Sequence, residues 1–391
     1  MKTKKLSLMA LAATAFVFSA SGTAVAAPPN SNGAIDTVNS RGSDTTFQMD
    51  QKLSDIYAGS EGCVPNTAGS VATAAWVTCL AAQPSGVIQT ENYDHDIVAQ
   101  YDPLAWGSSK GINALCAQNN ASGTGILANV VPTELARSSR QISSSDCSGL
   151  TARGYAKDGL VPVNWRNQAG SPAVGVSNLT IAQLQGIFST CTITNWNQIG
   201  GSNAPIVVWG VQTGSGTYRA FTSGIGVTNA NACVTPGDPD GPGPLTSRIV
   251  QENDAQQVLA ANAVTPGESA NSMWWMSFGP WQSSANFRGG SSFTRVNSVT
   301  PSGTSIVNGT FPLSRFLYMV TRSVSVPGRD AARAAATDFV NWVCLNAGAH
   351  TTALAKNYAA AIGAATTGEG FYRNPDNSGT GGTDTCQTAT T

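Results

Sequence analysis

The run Ile206-Val207-Val208-Trp209-Gly210-Val211 is followed, one residue on, by Thr213-Gly214-Ser215-Gly216-Thr217 and then by Tyr218-Arg219-Ala220-Phe221. That order predicts strand, glycine loop, helix. Two glycines let the backbone turn tightly and aim successive N–H groups at one point, while Ser215 and Thr217 add hydroxyl donors at the first turn of the helix. Such a loop suits an oxyanion. In a chain with 41 Gly it also arises as a plain turn, so it gains meaning only in company. From Gly159 onward apolar runs alternate with helical stretches, which predicts an α/β fold with a mostly parallel or mixed sheet.

The start of the chain points to a compartment. Lys2, Lys4 and Lys5 precede the apolar run Leu6 to Phe18, and Ala24-Val25-Ala26 stands before Ala27. This is the pattern of a secretory signal peptide over residues 1–26, cleaved after Ala26. Its apolar core is shorter than the roughly 20 residues of a membrane span, no later run reaches that length, and no cysteine follows the cleavage site to carry a lipid. A secreted or extracytoplasmic protein without a membrane span is expected, and a monomer.

The roughly 365 residues that remain exceed what one hydrophobic core usually serves, so two lobes are expected. Only 11% of residues are charged and the formal net charge is −1, against about 25% charged residues in an average soluble domain. That balance gives no steering field for nucleic acid or anionic lipid, so any anion site has to be local. Eight cysteines in an exported chain read as disulfides. Many pairings are possible; sequential pairing, Cys63–Cys79, Cys116–Cys147, Cys191–Cys233 and Cys344–Cys386, sets one staple in each of four separated regions and is the preferred arrangement. With only two histidines, His95 and His350, and no C-x-x-C, neither a metal nor another cofactor is expected.

Along the chain, Ile35 to Asn39 predicts a short strand. Arg41-Gly42-Ser43-Asp44-Thr45-Thr46-Phe47 then turns into a helix over Gln48 to Tyr57, in which Ser43 or Thr45 serves equally well as a simple N-cap. Gly59 to Pro84 is a cysteine-bearing insertion. Gly107-Ser108-Ser109-Lys110-Gly111 is another Gly-Ser turn opening a helix, and Ala136-Arg137-Ser138-Ser139-Arg140 is a third hydroxyl turn. Gly159 to Asn164 predicts a strand and Leu179 to Phe188 a helix. Ser247 to Ala261 predicts a second helix, its stripe interrupted by Glu252-Asn253-Asp254. Met273 to Phe278 and Phe311 to Val320 are apolar strands, and Ala331 to Leu345 is a helix.

Helix-opening turns of this kind, converging on one cleft, bind a tetrahedral oxyanion through dipoles and hydroxyls with little need of lysine or arginine. Thr46-Phe47, Gly107-Ser108-Ser109-Lys110-Gly111, Ser138-Ser139 and Thr213-Gly214-Ser215-Gly216-Thr217 follow the order found in the periplasmic phosphate-binding proteins of phosphate ABC transporters. The chain resembles that family from about Asn39 to about Gly348, and the helix Leu179 to Phe188 with Trp196, the run Trp274 to Phe278 and the segment Phe311-Pro312-Leu313-Ser314-Arg315 agree with it. The resemblance implies a hinged, two-lobed, periplasmic-binding-protein-like fold of type II, with lobe I over 33–160 plus 313–391 and lobe II over 161–312. It implies a binding protein rather than an enzyme, one that holds phosphate or a similar oxyanion between its lobes and presents it to an ABC transporter permease. Carried over by position, the Thr46 hydroxyl, the Phe47 N–H, the Ser108 hydroxyl and the Ser139 backbone bind from one lobe, and Ser215, Gly216 and Thr217 from the other.

The departures bear on the ligand. Where the family has an aspartate after the Ser of its third motif this chain has Arg140, and where the family has an arginine and an aspartate before the glycine loop it has Val211 and Thr213. A cleft without a carboxylate lacks the acceptor that separates protonated phosphate from sulfate. Arg140 is therefore a candidate to replace the missing arginine from the opposite wall, and equally a surface arginine or a partner of Asp146; Lys110 and Arg219 are the next cations. Two other functions stay open: a secreted, transport-independent scavenging protein of the same fold with another ligand, and a secreted serine-dependent hydrolase using Ser215. Against the latter, the pattern G-x-S-x-G is not met and a base is scarce.

Overall fold

The computed structural model describes residues 37–58, 89–92, 107–117, 133–237, 247–253, 255–325, 330–344, 366–373 and 386–390. Residues 1–26, where a signal peptide is expected, the insertion over 59–84 with Cys63 and Cys79, and both histidines lie outside the described residues. One strand, Leu150–Asn164, organises the rest. Its first half pairs antiparallel with Ser314–Arg322, from Leu150 opposite Arg322 to Gly159 opposite Ser314. Its second half pairs antiparallel with Ser272–Ser277, from Leu160 opposite Ser277 to Asn164 opposite Met273. Burial alternates over Leu150 to Arg153 and is continuous from Asp158 to Asn164, the change expected where a strand passes from a sheet covered on one face to one covered on both.

Beyond Ser314–Arg322 the sheet continues through Leu135–Ser138, Thr37–Gly42 and Gln89–Asn92, the last two junctions being parallel. Beyond Ser272–Ser277 it ends on the parallel strand Val207–Val208. The sheet is thus mixed, and helices Phe47–Ala58, Ser108–Ala117, Ile181–Phe188, Gly216–Gly224 and Asp330–Val343 accompany it. Thr180 starts one of them with a capping box to Gln183. No helix among the described residues is long and apolar enough to cross a membrane.

Among the described residues, each half of the long strand carries an apolar core. The first gathers Ile112, Leu115, Ala136, Leu150, Ala152, Tyr318 and Val320. The second runs from Leu160 and Val161 to Phe311 and Leu313. In it Phe221 stacks on Trp275 at 4.5 Å and Phe188 meets both rings edge-on, a geometry that adds about 0.5–1.5 kcal/mol per pair to simple burial. Disulfides join Cys116 to Cys147, Cys191 to Cys233 and Cys344 to Cys386, three of the four sequential pairs.

Two expectations fail. The stretch Ser247 to Ala261 is not one helix: Ile249–Val250 is a strand in parallel with Gly210–Val211, Asn253 takes φ 69°, and the helix is confined to Gln256–Ala260. Pairing of two β-branched residues with a neighbouring strand outweighs their weak helical propensity. The turn at Ser138-Ser139 closes the strand Leu135–Ser138 and opens no helix, the chain passing through turns to Leu150.

Candidate functional site

The Thr213 to Thr217 loop forms as its residues dictate. Ser215 has extended backbone and caps the helix Gly216–Gly224, its Oγ accepting the Tyr218 N–H at 3.1 Å. Phe221 roots that helix in the second core. Gly216 permits a close approach, since a Cβ there would stand 2.2 Å from Ser108 Oγ and 2.3 Å from Ser139 Oγ. The Ser109 N–H also donates to the Gly214 carbonyl at 3.3 Å. Three of the hydroxyl motifs are therefore in direct contact. Ser108 Oγ accepts the Ser139 N–H at 2.8 Å, and Ser43 Oγ donates to Ser139 Oγ at 3.0 Å.

At the centre stands a side chain that sequence reasoning did not select. Glu252 is 3% exposed, and its carboxylate lies among the donors. Oε1 accepts the Thr45 N–H at 3.2 Å and the Thr45 hydroxyl at 3.0 Å, with Ser43 Oγ at 3.4 Å. Oε2 accepts the Thr217 N–H at 3.3 Å and the Ser215 hydroxyl. These groups face an anion. The only sign of it in the sequence is the break that Glu252-Asn253-Asp254 makes in an otherwise helical stripe.

Arg315 is the second missed residue. Its Nη1 donates to Thr217 Oγ1 at 3.1 Å and to the Ser139 carbonyl at 3.2 Å, while Nε donates to Asp158 at 2.9 Å. The Asp158 carboxylate also accepts the Ser277 hydroxyl at 2.7 Å and the Gly279 N–H at 3.1 Å. A buried ion pair is tolerable only when its remaining hydrogen-bonding capacity is met, as it is for this carboxylate. The pair carries a cation to the edge of the donor ring.

Three selected residues lie elsewhere. Thr46 is fully buried, and its side chain lies near enough to Asp50 to act on that carboxyl. The Phe47 N–H closes the local turn on the Asp44 carbonyl, and its ring lies 5.3 Å from the Arg137 guanidinium. Thr45, one residue earlier, supplies the N–H and hydroxyl instead. Arg140 grips Asp146 with both terminal nitrogens, at 2.9 and 2.8 Å, so the Asp146 alternative is the one realised. Burial raises the Asp146 pKa, but hydrogen bonds from Arg140 and Ser143 outweigh it and hold the carboxyl below its ordinary value. The Cys116–Cys147 bond fixes the loop that brings Asp146 there. Lys110 and Arg219 are exposed.

Beneath the Ser43–Thr46 turn, Arg137 donates from Nε to the Ser43 carbonyl at 3.3 Å and from Nη1 to the Ser40 carbonyl at 3.1 Å, and lies 4.0 Å from Asp50. Tyr155 donates its hydroxyl to Asp50 at 2.6 Å. Burial lifts the Asp50 pKa to about 6 against the pull of Arg137, Tyr155 and Thr46. A cavity of about 120 Å³ opens beside Glu252, lined also by Asp44, Phe47, Asn253, Phe287 and Phe371. Among the described residues no group of His, Cys, Asp and Glu could hold a metal ion.

A sequence model of the PBP superfamily domain matches residues 66–346, well over half of the chain. The chain belongs to the PBP superfamily. None of the curated protein sequences matches it. Among solved structures it is similar to a protein from Clostridium perfringens, provisionally assigned as a phosphate ABC transporter substrate-binding protein and determined with bound phosphate. Identity there is 19%, coverage 86% of this chain and 99% of that one, and the TM-score 0.51. It is also similar to an ABC-type phosphate transport receptor from Vibrio cholerae, at 20% identity, 83% and 98% coverage and a TM-score of 0.48. For PstS from Borrelia burgdorferi the values are 19%, 86%, 98% and 0.44.

Proposed function

We propose that this protein is an extracytoplasmic solute-binding protein that captures a small oxyanion, phosphate first, and presents it to an ABC transporter. The observation that carries the proposal is the convergence of the Thr45 and Thr217 N–H groups and the Thr45 and Ser215 hydroxyls on one oxyanion, the Glu252 carboxylate. Dipoles and hydroxyls recognise an anion without lysine or arginine in the first rank, and Arg315 adds one cation at the rim. The Arg315–Asp158 pair stands in, from other positions, for the two charges that Val211 and Thr213 do not supply. The similar protein from Clostridium perfringens holds phosphate, and the same chemistry is assigned here to Thr45, Ser108, Ser139, Ser215, Gly216, Thr217 and Arg315.

The proposal includes two lobes, 33–160 plus 313–391 and 161–312, hinged so that closure buries the ligand. It is supported by the membership of the two cores, the first drawing on Ile112 to Ala152 with Tyr318 and Val320, the second on Leu160 to Leu313. The proposal also includes export by a signal peptide over 1–26, in keeping with the site of work of such a carrier. Ser215 acts in this scheme as helix cap and ligand donor, not as a nucleophile. The test is a thermal melt with and without inorganic phosphate: a ligand bound only by the folded state raises the melting temperature with concentration. No rise with phosphate, sulfate or any other small oxyanion would remove the ligand and leave the fold.

A further inference from the structure

We infer that Glu252 is a tethered competitor of the ligand: in the ligand-free protein its carboxylate occupies the place of the oxyanion, and an entering oxyanion has to displace it. The inference rests on the reading of the donor ring as an oxyanion site. It begins from occupancy, because the donors of Thr45, Ser215 and Thr217 assigned above to the ligand are the ones now engaged by Oε1 and Oε2. A carboxylate and a phosphate cannot both take the same N–H groups.

Charge leads to the same conclusion. Arg315 is the cation that reaches Thr217 Oγ1 and the Ser139 carbonyl, and Asp158 already neutralises it. Exchanging one anion for another keeps the balance, whereas adding phosphate beside Glu252 would place two anions side by side in a buried site. The turn is also built so that this one side chain can leave. Its neighbours anchor it: Asn253 Nδ2 donates to Thr45 Oγ1 at 2.7 Å, the Ser277 N–H donates to Asn253 Oδ1 at 2.9 Å, and Gln251 Nε2 donates to Asp44 at 2.9 Å. The cavity of about 120 Å³ has Glu252 on its wall, and gives the displaced carboxylate somewhere to go.

The consequence is a threshold. Apparent affinity falls by the fraction of molecules whose site is free, so weak monoanions are turned away while an oxyanion with more charge and more acceptors displaces the tether. The test compares wild type with Glu252→Gln and Glu252→Ala, titrating inorganic phosphate by calorimetry and offering formate alone in thermal melts. Glu252→Gln keeps the shape and guards against a variant that fails to fold. The expected result is phosphate binding tighter by roughly tenfold or more in both variants, with formate raising the melting temperature of Glu252→Ala and leaving wild type unmoved. Phosphate binding that is equal or weaker in both variants overturns the inference and leaves the phosphate reading standing. Formate without effect on Glu252→Ala overturns it too. If phosphate binds none of the three proteins while formate stabilises Glu252→Ala alone, self-occupation holds and the phosphate reading falls.

Discussion

Ser215 does two things with one oxygen. It accepts the Tyr218 N–H as a helix cap and donates its own proton to the anion position. Ser215→Ala removes both, so stability should fall by about 1 kcal/mol, the usual worth of such a cap. Phosphate affinity should fall by about 10- to 100-fold, since a hydrogen bond to a charged group is worth roughly 1.5–3 kcal/mol. Melts and calorimetry on the same variant separate the two, and loss of stability with unchanged affinity would reduce Ser215 to a cap. Asp50 yields a prediction about pH. Its folded pKa, about 6, lies above the ordinary 3.8, so the folded chain binds that proton more tightly than the unfolded chain does. The stabilisation is therefore complete below about pH 4 and is lost as pH rises through 6, a change of about 3 kcal/mol. In urea unfolding the stability of wild type relative to Asp50→Asn should decline between pH 4 and 6 and stay level above; a difference that is flat throughout would contradict this. At this scale the sequence was readable where the signal is local, as in the glycines and cap of Thr213 to Thr217. Sequence reasoning selected Thr46, whereas it is Thr45 that faces Glu252, because only the geometry of the turn decides which N–H it consumes and which it leaves free.

Elements deliver what local pattern cannot announce. The antiparallel pairing of Leu150–Asn164 with Ser314–Arg322 sets Asp158 opposite Arg315, joining residues 157 positions apart. Removing one member of such a buried pair strands the other. Arg315→Met should destabilise the protein by about 3–5 kcal/mol. Arg315→Met with Asp158→Asn should restore most of that stability while phosphate affinity stays low. A double variant that binds as wild type does would show that the pair only holds the strands together. Glu252 went unselected for the same kind of reason. Ile249–Val250 pairs with Gly210–Val211 in a small two-stranded sheet of their own, and that pairing converts an expected helix into a turn aimed at the donor ring. The third hydroxyl motif lies against Ser108 and Gly216 but was given the wrong element, because a strand end and a helix start share the same serine-rich punctuation.

For the molecule as a whole, length, scarcity of charge and the order of four short motifs were enough to indicate a mixed α/β protein of the binding-protein class. The α/β class was legible because strand and helix periodicities alternate along the chain, and the three described disulfides because sequential cysteines fall in separate regions. What the sequence withheld is the electrostatics of the cleft. Arg140 turned to Asp146, and the cation beside the donor ring, Arg315, came from a strand whose apolar composition reads as core. The central claim is that the ring around Glu252 is an oxyanion site, and calorimetry of the wild-type protein at neutral pH with phosphate and, separately, sulfate tests it most directly. The account predicts one phosphate bound per chain, with binding weakened at least tenfold by Ser215→Ala. Absence of binding by either anion, or phosphate binding indifferent to that substitution, would contradict it.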